Sequence, residues 1–181
     1  MISKLIDEYL KKSENMRKGY LDSLNPINNA VVALMGKKMK EIPTMFSYLY
    51  NTVNGTSRNI KNQQYFDFIP GYRLMPIEEI LDIYESFLSV YEEYENIIPF
   101  LNDYSSCYYA YIKKNNKEAI VSITEEGIEV LHDSVENFWI TINVFYDNKV
   151  YFLDEDGYLS YDYELEGIFG KKYNKGISYW E

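Results

Sequence analysis

Cysteine and histidine are almost absent from this sequence of 181 residues, since each occurs once, as Cys107 and His132. A single cysteine excludes a disulfide within the chain and any zinc site with several cysteine ligands. A single histidine excludes the two-histidine zinc motif of metalloproteases, and neither common glycine-rich phosphate-binding loop occurs. We therefore expect a protein that is not an enzyme and that holds neither a metal nor a cofactor.

Long apolar runs are missing as well. No run approaches the ~20 residues that a membrane-spanning helix requires, and residues 1–10 carry charges where a signal peptide needs an apolar core. With 46% hydrophobic residues the composition is too apolar for a disordered chain, and the length suits one globular domain. These features predict a cytoplasmic protein that contacts no membrane.

Charge of one sign dominates each part of the sequence. Residues 1–61 hold 10 basic and 5 acidic side chains, whereas residues 62–181 hold 8 basic and 23 acidic ones. Nucleic-acid phosphates repel such an acidic segment, and the lysines near the start are explained as solvated faces of helices. We therefore expect no nucleic-acid binding and an attraction to a basic protein.

Tyrosine is unusually frequent, with 20 residues in the chain. Its side chain combines a large rigid contact area with a polar tip, and it is enriched at protein interfaces. The alternative is that these tyrosines fill half-buried strand positions. Together with the charge and the missing chemistry, the tyrosine content favours a binding protein.

The first half of the sequence has the period of helices. Apolar residues spaced by three and four predict an amphipathic helix over residues 2–20, and prolines predict three further helix starts. These prolines are Pro26, Pro43 and Pro76. Between the last two, residues 65–69 alternate in a way that predicts a short strand.

From residue 96 onward the pattern favours strands. Pro99 places the strand over 97–100 at a sheet edge or a strand end, and Asn115-Asn116 and residues 154–157 predict hairpin turns. Asp133 with Glu136 predicts a capping box at the start of a helix over 134–146. Helices followed by strands with interspersed helices predict an α+β fold, with a mainly antiparallel sheet of about five to six strands.

The residues that could carry chemistry form no recognised pattern. Cys107 lies in a tyrosine-rich strand pattern, where a free cysteine behaves as a small buried hydrophobe. His132 falls between a strand and a capped helix, a normal place for a solvated histidine. The acidic turn at 154–157 is no calcium loop of the EF-hand type, because Phe152 and Tyr163 occupy positions that need ligands.

Several motifs, read in order, resemble the SUKH superfamily. Ile42-Pro43 followed by Asn54-Gly55 looks like its opening, and Ile97-Ile-Pro-Phe100 followed by Asp103 is similar to a strand entry of the family. Glu136-Asn-Phe-Trp139 resembles its "SFEEF" helix, although Asn137 and Trp139 depart from that pattern. The resemblance covers residues 25–181 as a single domain and leaves residues 1–24 as an N-terminal helical extension.

The resemblance implies a function as well as a SUKH-like α+β fold. The superfamily joins a fungal regulator of cell-wall synthesis to bacterial immunity proteins, which bind secreted toxins that are often nucleases. It has no shared catalytic residues. The resemblance therefore implies a non-catalytic protein-binding module, an immunity protein for a cognate bacterial toxin domain. The alternative is a regulatory scaffold that binds an endogenous protein in cell-wall or stress signalling.

One stretch is the candidate binding surface. Residues 154–166 contain six acids, no basic residue and three interleaved tyrosines. Such a surface can mimic the charge of a nucleic acid and cover the basic cleft of a nuclease, while an ordinary solvated hairpin and helix is the alternative. The residues that we predict to bind the partner are Glu155, Asp156, Tyr158, Tyr161, Asp162 and Glu164.

Overall fold

The computed structural model describes residues 1–181, apart from the side chain of Val31. Its centre is an antiparallel sheet of five strands in the order β1-β2-β3-β4-β5. These strands are β1 Arg73–Leu74, β2 Asn96–Asn102, β3 Tyr108–Lys114, β4 Lys117–Thr124 and β5 Gly127–His132. A separate hairpin consists of β6 Tyr151–Leu153 and β7 Leu159–Tyr161. The predicted α+β class and the mainly antiparallel sheet are confirmed.

Seven α-helices surround this sheet in the described part of the chain. They are α1 Ile2–Met16, α2 Tyr20–Ser23, α3 Asn29–Lys38, α4 Thr44–Tyr50, α5 Ile77–Val90, α6 Val135–Asp147 and α7 Tyr163–Tyr173. Two 3₁₀ turns, Gln63–Tyr65 and Ser178–Trp180, complete the regular structure. None of the helices in this described part is both long and apolar enough to cross a bilayer.

The predicted hairpin turns form because their residues tolerate the required backbone. Asn115 and Asn116 adopt φ values of +52° and +59°, and Lys114 pairs with Lys117 across the two-residue turn between β3 and β4. Positive φ at both central residues matches the right-handed twist of the flanking strands. The second hairpin also lies where the sequence predicts it, with Gly157 at φ +83°.

Several local predictions need correction, and one of them is the helix start at Pro26, since α3 begins at Asn29 with Asn28 as its N-cap. Residues 65–69 form no strand, because the Pro70-Gly71 turn folds Ile69 back onto Tyr72 as a single bridge, and pairing with β2 begins only at Arg73. The helix over 2–20 ends at Met16, before Gly19 takes a left-handed φ of +89°. The cap of α6 is described next.

Ser134, and not Asp133, is the N-cap of α6. Its extended backbone lets the Ser134 hydroxyl accept a hydrogen bond from the Asn137 amide at 3.1 Å. Asp133 lies one residue before the cap and accepts from the side chain of Asn137 instead. The predicted helix is therefore present, but its N-cap lies one residue later than predicted, and Asn137 does not bond back to the Ser134 amide as a capping box requires.

Pro99 lies inside β2, which is the second strand of the sheet rather than its edge. The neighbour β1 pairs only with Leu101 and Asn102, so Pro99 needs no partner on that side. On the other side the register with β3 shifts between Pro99 and Leu101. A proline without an amide hydrogen is tolerated at such an interruption.

The sheet buries both faces. Ile98, Tyr111 and Ile120 belong to the main core with α1, α4, α5 and α6, whereas Ile97 and Val121 belong to a smaller cluster. The smaller cluster is covered by aromatic residues from the end of α5 and the turn that follows it. Alternation along each strand accounts for this division between the two faces.

The N-terminal helix belongs to the main core. Tyr9 is fully buried and meets Trp139 of α6 edge to face, with ring centroids 5.7 Å apart. The Asn143 side chain donates to the Leu5 carbonyl at 2.9 Å. The boundary at residue 24, which comes from the family resemblance, therefore does not coincide with a break in the packing.

Candidate functional site

The tip of the β6–β7 hairpin is built by one carboxylate and exposes two others. Asp154 Oδ1 accepts hydrogen bonds from the amides of Asp156 and Tyr158, at 3.0 and 2.9 Å. The side chains of Glu155 and Asp156 are exposed. Gln64 Nε2 donates to the Asp156 carbonyl at 2.6 Å, which fastens the tip to the loop before β1.

The other predicted binding residues lie around the far end of β7. Tyr158 and Tyr161 are each 42% exposed. Tyr158 comes just before β7 and Tyr161 ends it, so their backbones are about 10 Å apart. Asp162 has a structural task, because its Oδ1 accepts from the Leu165 amide at 3.0 Å and caps α7. Glu164 is exposed in the first turn of α7. The structure thus spreads the six residues over one hairpin and one helix start.

Behind this surface lies a cavity that the sequence did not predict. Its volume is about 170 Å³, and polar atoms supply most of its wall. It is lined by Ile69, Pro70, Tyr72, Tyr109, Tyr151, Tyr161, Glu166 and Tyr179. Five tyrosines and one glutamate from separate parts of the chain therefore surround one small space.

The polar groups around this cavity lack partners. Among the described residues, none forms a hydrogen bond with the hydroxyls of these five tyrosines or with the Glu166 carboxylate. Their polar atoms are not fully enclosed, so water reaches them from the cavity. A ligand that entered this space would find six polar groups free to bind it.

Glu166 is the charged group of the cavity. Burial raises its pKa to about 7, and no basic side chain of the described residues offsets that burial. Burial also raises the pKa of Tyr151 and Tyr161, and that of Tyr179 to about 12, with the Glu166 charge as the next cause in each case. The carboxylate thus lies close to several of the hydroxyls.

A larger and more apolar groove, of about 620 Å³, shares Glu166 and Tyr179 with the cavity. Its wall comes from α7 and the C-terminal 3₁₀ turn, and Tyr163 and Ile168 beside it are 79% and 62% exposed. Lys171 in this groove pairs with Glu181, at 2.8 Å between Nζ and Oε2. The cavity and the groove together with the six predicted residues form the candidate site.

The wall made by α7 is held in place by close packing. A Cβ atom at Gly170 would lie 2.0 Å from the Trp180 ring, so only glycine allows this contact. Trp180 Nε1 donates to the Leu131 carbonyl at 2.7 Å. These contacts attach α7 and the C-terminal turn to the edge strand β5.

His132 is buried, which corrects the prediction of a solvated histidine. It is only 3% exposed, and its Nδ1 lies 2.7 Å from Oδ1 of Asn174. The Asn174 amide nitrogen donates to Thr141 Oγ1 and to the Gly170 carbonyl, so its oxygen faces the imidazole. Burial lowers the pKa of His132 to about 4, and the ring is therefore neutral at pH 7.

Cys107 and His132 are not brought together. Cys107 precedes Tyr108, which pairs with Ile123, whereas His132 pairs with Ile120. Four residues along the strand direction and two strand spacings separate Cys107 from His132, a distance of about 16 Å. Burial and the neighbouring Asp103 also raise the pKa of the Cys107 thiol, which disfavours a thiolate.

In the part of the chain that the structure describes, no three histidine, cysteine, aspartate or glutamate side chains are grouped so as to hold a metal ion. The acidic turn at 154–157 uses Asp154 to accept backbone amides. Its geometry is that of a hairpin turn.

Another depression, of about 630 Å³, lies between the starts of α3 and α5. Its carboxylates already have partners, because Glu78 accepts from Asn54 Nδ2 at 3.0 Å and Glu79 pairs with Arg58 at 2.9 Å. A pocket with satisfied polar groups offers less to a ligand than the tyrosine-lined cavity.

Sequence reasoning found the acidic surface and missed the cavity behind it. Glu166 lies at the end of the acidic stretch, but nothing local distinguishes it from Glu164. Tyr72, Tyr109 and Tyr179 are far apart in the sequence. The high tyrosine content was the one available signal, and it does not say which tyrosines converge.

No family model matches the chain, and no curated protein is similar to it. The resemblance to the SUKH superfamily therefore stays a prediction.

Proposed function

We propose that the chain is a non-catalytic protein-binding module, an immunity protein that binds and neutralises a basic bacterial toxin domain of the nuclease type. The observation that carries this proposal is the surface of β7 and α7. In β7, the turn before it and the start of α7, the side chains of Tyr158, Tyr161, Tyr163, Glu155 and Glu164 are exposed.

The composition of this surface suits an interface. Exposed tyrosines are common binding anchors, because a large side chain becomes desolvated at low entropic cost. Carboxylates at the rim attract a basic partner and raise the association rate, an effect that salt screens. The net charge of −10 likewise favours a positively charged partner.

The test is a binding and inhibition experiment with a toxin domain encoded by a neighbouring reading frame. The full chain is mixed with the purified domain, and association kinetics are measured at low and high salt. We expect inhibition of the toxin and association near ~10⁸ M⁻¹s⁻¹ at low salt, falling steeply as salt rises. A chain that binds an endogenous protein and no toxin would instead support the regulatory scaffold.

The binding face is tested by charge removal. A triple variant with Glu155→Gln, Asp156→Asn and Glu164→Gln should associate more slowly and with a weaker salt dependence. The matched control changes the same charge at exposed acids near the end of α5, with Glu85→Gln, Glu92→Gln and Glu93→Gln. Equal rates for the two triple variants would exclude this surface as the binding face.

A further inference from the structure

We infer that the tyrosine-lined cavity behind the acidic surface binds one guanidinium group, that of an arginine side chain of the partner. This inference rests on the proposed function, because it assigns to the basic partner the group that enters the chain. It adds a specific pocket to a surface that otherwise attracts by charge alone.

The donors and acceptors of the two groups are complementary. A guanidinium has five N–H donors and no acceptor. The cavity offers two carboxylate oxygens of Glu166 and the phenol oxygens of the surrounding tyrosines, none of which has a partner among the described residues. An anion would be repelled by Glu166, and a neutral group would leave its charge unpaired.

The aromatic walls favour guanidinium over ammonium. The rings of Tyr72 and Tyr109 lie with centroids 4.7 Å apart and form one side of the space. A planar guanidinium stacks on such rings and is more weakly hydrated than the ammonium of lysine, so it enters a small cavity at lower cost. The volume of about 170 Å³ is that of roughly five to six waters at about 30 Å³ each. This space is large enough for the four heavy atoms of a guanidinium group.

The chain itself supplies no cation to Glu166. Lys171 pairs with Glu181, and the Lys172 ammonium lies 5.3 Å from the ring centroid of Tyr173. Among the described residues no ion pair includes Glu166. A positive charge that pairs with Glu166 must therefore come from a bound partner.

Binding should depend on pH through Glu166. The other groups that face it are the cavity tyrosines, whose raised pKa values keep them neutral at pH 8, and the Lys171–Glu181 pair and Glu164 at the adjoining groove. With a pKa of about 7, the ionised fraction of Glu166 rises about tenfold between pH 6 and pH 8. The affinity for guanidinium should rise by about the same factor.

The experiment uses the isolated full chain and ethylguanidinium chloride as the probe. Tyrosine ring signals are followed by NMR during titration at pH 6 and pH 8, with sodium chloride and urea as the ionic and the neutral control. We expect saturable shifts of a few cavity tyrosines with ethylguanidinium only. Glu166→Gln should weaken binding about 10- to 100-fold at pH 8, whereas Glu92→Gln, at an exposed position just after α5 and away from the cavity, serves as the matched control with little change.

Two outcomes overturn the inference. One is equal binding of the probe by wild type and Glu166→Gln, and the other is shifts of the same size with urea, which indicate a cavity filled by water. If Glu166→Gln does not fold, Tyr109→Phe provides the second variant, with weaker probe binding expected. If the chain binds no probe but still inhibits its toxin, the guanidinium pocket is refuted and the proposed function stands. If the chain binds the probe but no basic protein, the proposed function is refuted and the pocket stands.

Discussion

Two sets of tyrosines in this molecule differ in what their hydroxyls contact. In the interior, the hydroxyls of Tyr50, Tyr84 and Tyr111 donate to the Met75 carbonyl, Asn96 Oδ1 and Glu118 Oε1, at 2.7 to 2.9 Å. Around the cavity, five hydroxyls, two of them on exposed tyrosines, have no such partner among the described residues. Folding has satisfied one set and left the other set available.

Two glutamates show the same contrast. Burial alone would raise the pKa of Glu79, but the buried Arg73 and the exposed Arg58 bond to its carboxylate and hold the pKa below its usual value. Burial raises the pKa of Glu166 to about 7, with no basic partner. Glu79 is thus paired within the chain, whereas Glu166 is left unpaired where a partner is expected to supply the cation.

The largest effect should come from disrupting the aromatic packing of the interior. Trp139 is fully buried and packs against Tyr9, Phe68 and Phe138. Trp139→Ala should lower the free energy of unfolding by about 3–5 kcal/mol, because it removes a large core side chain and leaves a cavity. Urea denaturation measures the loss. A variant that unfolds like wild type but no longer binds the partner would make Trp139 an interface residue.

A smaller but pH-dependent effect should come from His132. Its pKa falls from 6.5 to about 4 on folding, so the unfolded chain takes up a proton before the folded chain does. The stability that this residue contributes is complete above pH 6.5 and is lost as the pH falls towards 4, by about 3 kcal/mol. Urea denaturation of wild type and His132→Gln between pH 7.5 and 4.5 isolates the contribution of His132 to the free energy of unfolding. Parallel pH profiles of the two proteins would contradict it.

Glu166→Gln should stabilise the protein at pH 8. Because the pKa of Glu166 is higher in the folded state, wild type loses stability as the pH rises from about 4.5 to about 7, and the uncharged amide avoids that loss. Discounted for partial solvent exposure, the gain is about 1–2 kcal/mol above pH 7 and vanishes below pH 4.5.

Glu79→Gln is the matched control for that comparison. It should destabilise the protein at pH 8, because the buried Arg73 then loses its charged partner. Thermal unfolding at pH 4 and pH 8 gives both values. If the two substitutions change stability in the same direction at pH 8, the contrast between the paired and the unpaired carboxylate is wrong.

The smallest effect should come from removing single hydroxyl groups. Tyr50→Phe leaves the buried Met75 carbonyl without its donor and should cost about 1 kcal/mol. Tyr109→Phe removes a hydroxyl that has no protein partner, so it should change the stability little. Denaturation of both variants side by side makes the comparison, and an equal loss for the two would show that the Tyr109 hydroxyl is satisfied.

What the sequence predicted correctly depends on local chemistry. The Asn115-Asn116 turn forms because asparagine tolerates positive φ, and α5 begins after Pro76 because proline favours a helix start. Asp133 was a plausible cap by pattern, but the backbone placed Ser134 there instead. Neighbouring residues therefore determine whether such a turn or helix start forms, but not the exact residue at which it begins.

The cavity and the burial of His132 depend on residues that are distant in sequence. His132 is neutral because Asn174 and Trp180 cover it, and neither can be assigned to it from periodicity. Glu166 and Glu164 occupy similar sequence contexts, yet one is half-buried beside tyrosines from β3 and β6 while the other is exposed. Tertiary packing, rather than local preference, distinguishes them.

The position of Trp180 has an optical consequence. Of the two tryptophans in the chain, Trp139 is fully buried, whereas Trp180 is partly exposed and contacts Tyr179 of the cavity wall, with ring centroids 4.7 Å apart. Indole emission responds to the polarity of its surroundings, so replacing Trp139 by Phe leaves a single tryptophan, excited selectively at long wavelength, near the cavity. The protein thus carries an intrinsic reporter whose emission wavelength and intensity follow what enters that space.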